Sequence, residues 1–283
     1  METIDTLFDH VRMARAYLSE GRFDEAERLY LVALSVSEEF YGPTSGEVIT
    51  HLENIADFYL ARAKHAEALP YLERLYSMYL GLREEATLSQ YAARLLETIE
   101  KLSTVQEKLG HGDQVEKLYL SALRAAEKDF GPDDETTLEV LAKLGEFYMR
   151  TGVFVAARAV FEELLDVKFA KHGSDCAALS TVLSGLAEVY GKLHLYYDRI
   201  SVLERQVAIT EALHAGSGVA LASQLTRLGE ALSVASRQYQ CKEFAERAEL
   251  TFCRALSIYE RFNGANTPTV QALRLRINTL AAK

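Results

Sequence analysis

Residues 140–173, VLAKLGEFYMRTGVFVAARAVFEELLDVKFAKHG, decide the fold. In the first half, Leu141, Leu144, Phe147 and Tyr148 recur at helical spacing and stop at Thr151-Gly152, where a glycine can take the left-handed geometry that ends a helix. After the Gly152-Val153-Phe154 turn a second amphipathic run begins. Its Ala157, Val160, Phe161, Leu164 and Leu165 make one apolar stripe that reaches Val167 and Phe169. The small residues Gly145 and Ala157 mark where the paired helices press closest, and Tyr148, Phe154 and Phe161 fill the space around them. The unit is a helical hairpin, and one hairpin alone cannot bury its apolar faces.

Self-similarity supplies the missing partners. Ala14, Tyr17, Gly21, Phe23, Ala26, Tyr30 and Ala33 stand at the same offsets as Gly145, Tyr148, Gly152, Phe154, Ala157, Phe161 and Leu164. Ala56, Tyr59, Ala63, His65, Ala68, Leu72 and Leu75 repeat the series, with Pro70 near the start of the second helix. A degraded copy runs through Ser103, Gln106, Gly110, Gly112, Val115, Tyr119 and Ala122. A fifth holds Ala187, Tyr190, His194, Tyr196, Arg199 and Leu203, and a sixth holds Ala248, Phe252 and Ala255. The small residue of the second helix falls at Ala26, Ala68, Val115, Ala157, Arg199 and Ala248, at intervals of 42, 47, 42, 42 and 49. The two long intervals place insertions around Leu82 to Gln90 and Arg237 to Glu243, where the helical pattern of the flanks predicts longer helices rather than loops. Turns between copies are expected at Tyr41-Gly42-Pro43, Phe130-Gly131-Pro132, His172-Gly173-Ser174, Ala215-Gly216-Ser217 and Asn263-Gly264-Ala265. One domain over 1–283 is expected, with repeats at about 2–41, 42–82, 83–130, 131–172, 173–214 and 215–263 and a capping helix over 264–283.

Composition agrees with an all-α chain: 4 prolines and 16 glycines in 283 residues, among many Ala, Leu, Glu and Arg, favour helices over strands. A net charge of −10 with no stripe of Lys and Arg argues against binding nucleic acid. The N-terminus lacks a secretion signal's continuous apolar segment, and no run approaches the roughly 20 apolar residues that span a bilayer. Cys176, Cys241 and Cys253 show no CxxC spacing, which predicts small buried hydrophobes in a reducing, cytoplasmic setting.

The series of small, aromatic, glycine, aromatic, alanine, aromatic, alanine resembles the tetratricopeptide repeat. The 42-residue interval with its FGPDDETTLEVLAKLGEFY opening resembles the longer kinesin-light-chain variety. The resemblance covers essentially the whole chain and implies a right-handed superhelical α-solenoid of stacked antiparallel helix pairs. Its first (A) helices would line a concave groove for extended or helical segments of other proteins. Helical geometry then puts the residues either side of the small slot on the inner face. Two before the slot stand Arg12, Asn54, Lys101, Lys143, Gly185 and Arg227, and one after it Arg15, Asp57, Thr104, Glu146, Glu188 and Glu230. The second row is acidic in four of six copies, which suits a ligand carrying Lys or Arg. Against this, Lys143 with Glu146 and Arg227 with Glu230 are spaced to neutralise each other on one helix, and this self-pairing is the favoured reading. Arg12, Arg15 and Asn54, with Phe8 one turn earlier, form a basic start that could hold a carboxylate, although solvated helix charges explain them more simply.

Nothing in the sequence converges for catalysis. The histidines His10, His51, His65, His111, His172, His194 and His214 lack metal-ligand spacing, the glycine pairs follow helices rather than strands, and no GxSxG elbow occurs. Glu38-Glu39, Glu84-Glu85 and Asp133-Asp134 are read as helix-end or solvated charges. Tyr71, Tyr76 and Tyr79 are expected to pack into the aromatic-poor third copy, the alternative being a patch for self-association. The sequence therefore reads as a scaffold without enzyme activity or cofactor that binds another protein or peptide and not a membrane interior. The competing readings are an accessory or chaperone-like subunit, an enzyme with an unconventional site, for example around His51, Glu53 and Asp57, and a self-assembling array.

Overall fold

The computed structural model describes residues 4–81, 88–173, 177–213, 218–264 and 267–281. Among the described residues there are thirteen α-helices and no strand. They are α1 (Ile4–Ser19), α2 (Phe23–Tyr41), α3 (Gly46–Ala61), α4 (His65–Gly81), α5 (Leu88–Lys108), α6 (Gly112–Phe130) and α7 (Glu135–Thr151). There follow α8 (Phe154–His172), α9 (Leu179–Lys192), α10 (Tyr196–Leu213), α11 (Val219–Tyr239), α12 (Lys242–Asn263) and α13 (Pro268–Ala281). Odd-numbered helices are the A helices of the repeat and even-numbered ones the B helices. The chain forms two compact units, Met1–Val140 and Leu141–Lys283, whose boundary falls within α7. In the first unit each helix from α1 to α6 packs on its successor, and in the second the same holds from α8 to α13. Nearest-neighbour stacking of this kind defines an α-solenoid.

The small slots explain the close approach. Ala26, Ala68 and Val115 in the first unit and Ala157 and Ala248 in the second are wholly buried, as are the larger Leu72, Leu164 and Phe252 around them. In the second unit Phe161 lies against both Gly145 and Gly185, where a methyl group would come within 3.0 Å of its ring. Each A-to-B turn contains one residue of left-handed backbone. It is glycine at Gly21, Gly110 and Gly152, but Ala63, His194 and Gln240 elsewhere. Chains leave the B helices at Gly42, Gly131, Gly173 and Gly264, each donating its N–H to the carbonyl four residues back.

The second insertion lengthens helices, as the pattern predicts. From Gly229 to the end of α11 at Tyr239 is four residues more than from Gly145 to the end of α7 at Thr151. From the start of α12 at Lys242 to Phe252 is three more than from Phe154 to Phe161. Seven inserted residues thus add close to one turn, about 3.6 residues, to each helix and leave the contact between Gly229 and Phe252 in place. Tyr239 and Phe244, on the added turns, pack on Tyr197 of α10 with ring centroids 4.9 and 5.6 Å away. Residues 82–87 of the first insertion lie outside the described residues. So do Glu84-Glu85, Ser174, Cys176, His214, Ala215-Gly216-Ser217, Ala265 and the side chain of Phe8.

Several expectations need correction. Tyr76 does reach the third copy, where its hydroxyl meets Ser121 Oγ at 2.7 Å. Tyr79 donates to Glu53 at 2.6 Å and also meets Arg94 of α5 in the third copy, whereas Tyr71 stacks on Tyr59 of its own copy, where α3 offers an aromatic partner. Cys241 is only half-buried and Cys253 is exposed, since they fall at the turn before α12 and on its outer side. The degraded third copy repairs its slot with polarity: Ser103 accepts a hydrogen bond of 3.0 Å from the buried Tyr119 hydroxyl.

Candidate protein-interaction site

The A helices carry the row of charges that the sequence singles out. Its dominant pattern is pairing between neighbouring A helices rather than within one. In the first unit the residue one after the small slot reaches the residue two before it on the next A helix. Arg15 donates to Asn54 Oδ1 at 3.2 Å, and Lys101 donates to Asp57 at 2.7 Å. In the second unit the same step joins Glu230 to Arg276 of α13. The result is a ladder in which α1, α3 and α11 each share a side-chain contact with the next A helix.

Lys101 illustrates the electrostatics. Burial alone would depress its ammonium, but hydrogen bonds to Asp57 and to Glu97, at 2.8 Å on its own helix, raise it above the ordinary lysine value. Beside this row Glu53 is clamped by Arg94 at 2.6 Å and by Tyr79, which burial and the carboxylate push well above the usual phenol range. At the start of the first unit Arg12 is largely exposed and turns to Asp9 at 2.8 Å. Arg12, Arg15 and Asn54 therefore do not converge: two of them bond to each other and the third to a carboxylate on its own helix.

The ladder breaks twice in the second unit. Glu146 should meet a cation two before the small slot of α9, but Gly185 stands there, held to glycine by the Phe161 ring. Glu146 falls back on Lys143, 3.7 Å away on the same helix and half exposed, so one of the two self-pairs expected from sequence forms. The other does not. Arg227 turns from both Glu188 and Glu230 to Ser184 Oγ at 3.3 Å and to Gln206 and Gln224 Oε1 at 3.2 Å. The attraction is Gln206, a 1% exposed side chain of α10 whose amide donates to the Ser180 carbonyl and whose oxygen needs a donor. Burial, with the nearby charge of Arg199, lowers the Arg227 guanidinium from its ordinary value, against the opposing pull of Glu188 and Glu230. Glu188 is left exposed with no hydrogen bond or ion pair. Sequence reasoning missed Arg276 as a ladder partner; its place in the row after the sixth copy was the available signal. Among the described residues no three His, Cys, Asp or Glu side chains group to hold a metal, and no helix is long and apolar enough to cross a membrane.

This architecture has known counterparts. The tetratricopeptide repeat family profile matches residues 7–80. That segment matches the tetratricopeptide repeat, and the chain as a whole is similar to kinesin-light-chain-type repeat proteins. Kinesin light chain-related proteins 2 and 1 of Arabidopsis thaliana are 26% and 27% identical over 165 and 153 residues, or 58% and 54% of this chain. The matches span 24% of each relative's length. Among solved structures, BtubC (BKLC) from P. vanneervenii superposes with a TM-score of 0.58 at 18% identity, covering 94% of this chain and 95% of that one. The apo form of RapI matches with a TM-score of 0.58 at 11% identity, over 100% of this chain and 76% of that one.

Proposed function

We propose that the protein is a non-catalytic scaffold that binds a segment of another protein along the A helices of its second unit. Glu146 and Glu188 there receive Lys or Arg side chains of the ligand. The observation that carries this is the interrupted ladder. Where the next A helix supplies a cation, as at Asp57–Lys101 and Glu230–Arg276, the carboxylate is already engaged. Where it does not, at Gly185 and at the diverted Arg227, adjacent A helices present carboxylates that a partner can complete. Asp57 and Glu230 thus serve stacking, while Glu146 and Glu188 serve recognition. The chain's net charge of −10 favours the approach of a basic segment.

The test is fluorescence anisotropy with a labelled peptide of alternating Ala and Lys, and with a control peptide bearing Glu for Lys. Exposed ion pairs contribute about 0.2–1 kcal/mol, so each of Glu146→Gln and Glu188→Gln should weaken the Lys peptide up to about fivefold. Glu230→Gln, which removes a carboxylate held by Arg276, should change binding little. Equal affinity of the double variant and the parent for the Lys peptide would remove the reading, and so would equal binding of the two peptides.

A further inference from the structure

The fifth copy holds an arginine where every other copy holds a wholly buried small residue. Arg199 occupies the slot of Ala26, Ala68, Val115, Ala157 and Ala248, all of which are 0% exposed. A second departure accompanies it. Four residues after the small slot of the A helix, the first four copies carry Leu18, Leu60, Glu107 and Met149, whereas the fifth carries Gly191. A methyl group at Gly191 would stand 3.3 Å from the guanidinium of Arg199, so the glycine keeps open the space that the arginine head occupies. The two residues act together: a long cationic side chain is admitted to the tightest point of a hairpin, and its neighbour is cut back to seat it.

Among the described residues the guanidinium so seated has no partner. Arg199 makes no ion pair, and its Nε is shut off from solvent without a hydrogen bond. Leaving a charged donor in that state is costly, and partners normally accompany it. Arg199 lines an open cavity of about 1270 Å³, walled by the added turns of α11 and α12, by Phe252 and by the end of α13. Arg237, from the added turn of α11, lines the same cavity and has no carboxylate partner, its Nε meeting only the Ser233 carbonyl at 3.3 Å. The other charges there are largely matched: Lys242 holds Glu246, Arg276 holds Glu230, and Glu249 stands alone. Phe252 and Leu280 supply apolar wall beside the arginines.

We propose that this cavity is an anion-recognition site, in which Arg199 and Arg237 bind the carboxylate or phosphate monoester of a partner peptide whose adjoining apolar side chain rests on Phe252 and Leu280. The seven inserted residues gain a purpose on this reading, because they build the wall that carries Arg237. The site's lining includes neither Glu146 nor Glu188, although it holds Glu230 of the same row, and its charge preference is opposite to theirs. A guanidinium pairs with either anion through parallel N–H bonds, and the cavity's volume exceeds what an ion alone would fill.

The experiment uses the full chain and three probes that share an aromatic ring: phenyl phosphate, 3-phenylpropanoate and the neutral 3-phenylpropanamide. Arginine Nε–Hε resonances are followed by NMR during each titration in phosphate-free buffer. We expect a saturable shift of the Arg199 and Arg237 signals with one or both anions, and at least tenfold weaker binding of the amide. The stronger anion identifies the ligand group. Arg199→Ala restores the residue of other copies and therefore keeps the fold, which circular dichroism checks; it should weaken the anion at least tenfold. Arg237→Ala tests the second contact independently. The proposal fails if no anion shifts the Arg199 resonance saturably up to tens of millimolar. It also fails if amide and anion bind alike, or if folded Arg199→Ala binds as the parent does.

Discussion

Replacing Gly229 by alanine sets two opposing effects against each other, and the structure decides which wins. Gly229 is buried within α11, so alanine should gain about 1 kcal/mol of helix propensity over glycine there. Its methyl, however, would stand 2.6 Å from the Phe252 ring, which is 1% exposed. Overpacking a core in this way costs about 1–3 kcal/mol, and the short distance puts this site toward the upper end. Gly229→Ala should therefore lower the stability of the second unit by about 1–2 kcal/mol net. The Phe161 ring is less crowded, at 3.0 Å from a methyl on Gly145 or Gly185, so either of those alanines should cost less. Urea unfolding monitored by circular dichroism gives the midpoints, with slopes checked because repeat proteins can lose two-state behaviour. The double change Gly229→Ala with Phe252→Leu supplies the internal control. Leucine fills the corresponding slot at Leu72 and Leu203, so the pair should cost less than the sum of its single changes. A Gly229→Ala protein as stable as the parent, or more so, would refute the claim that these glycines are fixed by the opposing ring.

Other perturbations follow from the same structure. Ala63 and Gln240 hold left-handed backbone, which costs non-glycine residues about 1–2 kcal/mol, so Ala63→Gly and Gln240→Gly should raise the unfolding midpoint while Gly152→Ala lowers it. Tyr119→Phe should cost about 1 kcal/mol by removing the buried hydrogen bond to Ser103, and adding Ser103→Ala should cost little more, as urea midpoints of the three variants would show. Burial lowers the pKa of His51, a 9% exposed side chain whose Nδ1 lacks a partner, so the folded state binds its proton less readily than the unfolded one. Its stabilising contribution is complete above the ordinary value of 6.5 and shrinks as pH falls from there toward the lower folded value. His51→Phe should flatten the decline in midpoint measured between those limits.

Legibility differed between fold and site for a physical reason. Helix periodicity and small slots are local facts, and Gly145, Ala157 and Phe161 announce their own packing; hence the thirteen helices and the lengthening at α11 and α12 could be read in advance. Left-handed turns were legible where glycine marks them and silent at Ala63 and Gln240, where the repeat register alone points to them. Charge partners are another matter, because a helix surface offers each carboxylate an intrahelical choice and an interhelical one. Lys143 with Glu146 took the first, but Glu230 went to Arg276 and Arg227 to Gln206. Nothing within one helix distinguishes these outcomes; the spacing of the neighbouring helix and a buried glutamine on α10 do.

A stacked-repeat protein can release a surface charge for recognition only by interrupting its own ladder, since the next repeat otherwise supplies the partner. The same rule governs the B helices, where Glu38 is taken by Arg74, Glu204 by Arg247 and Glu211 by Arg254 of the following repeat. Two interruptions occur side by side in the second unit, and they differ in kind. At Gly185 a partner is deleted because the Phe161 ring leaves no room for a side chain. At Arg227 a partner is diverted because Gln206 offers a buried acceptor. Both causes lie in the layer between A and B helices rather than on the face that carries the charges. Core substitutions one layer down thus set which surface charges lack a partner on the next repeat, so on the proposed function a ligand preference can change while every residue that touches the ligand stays the same.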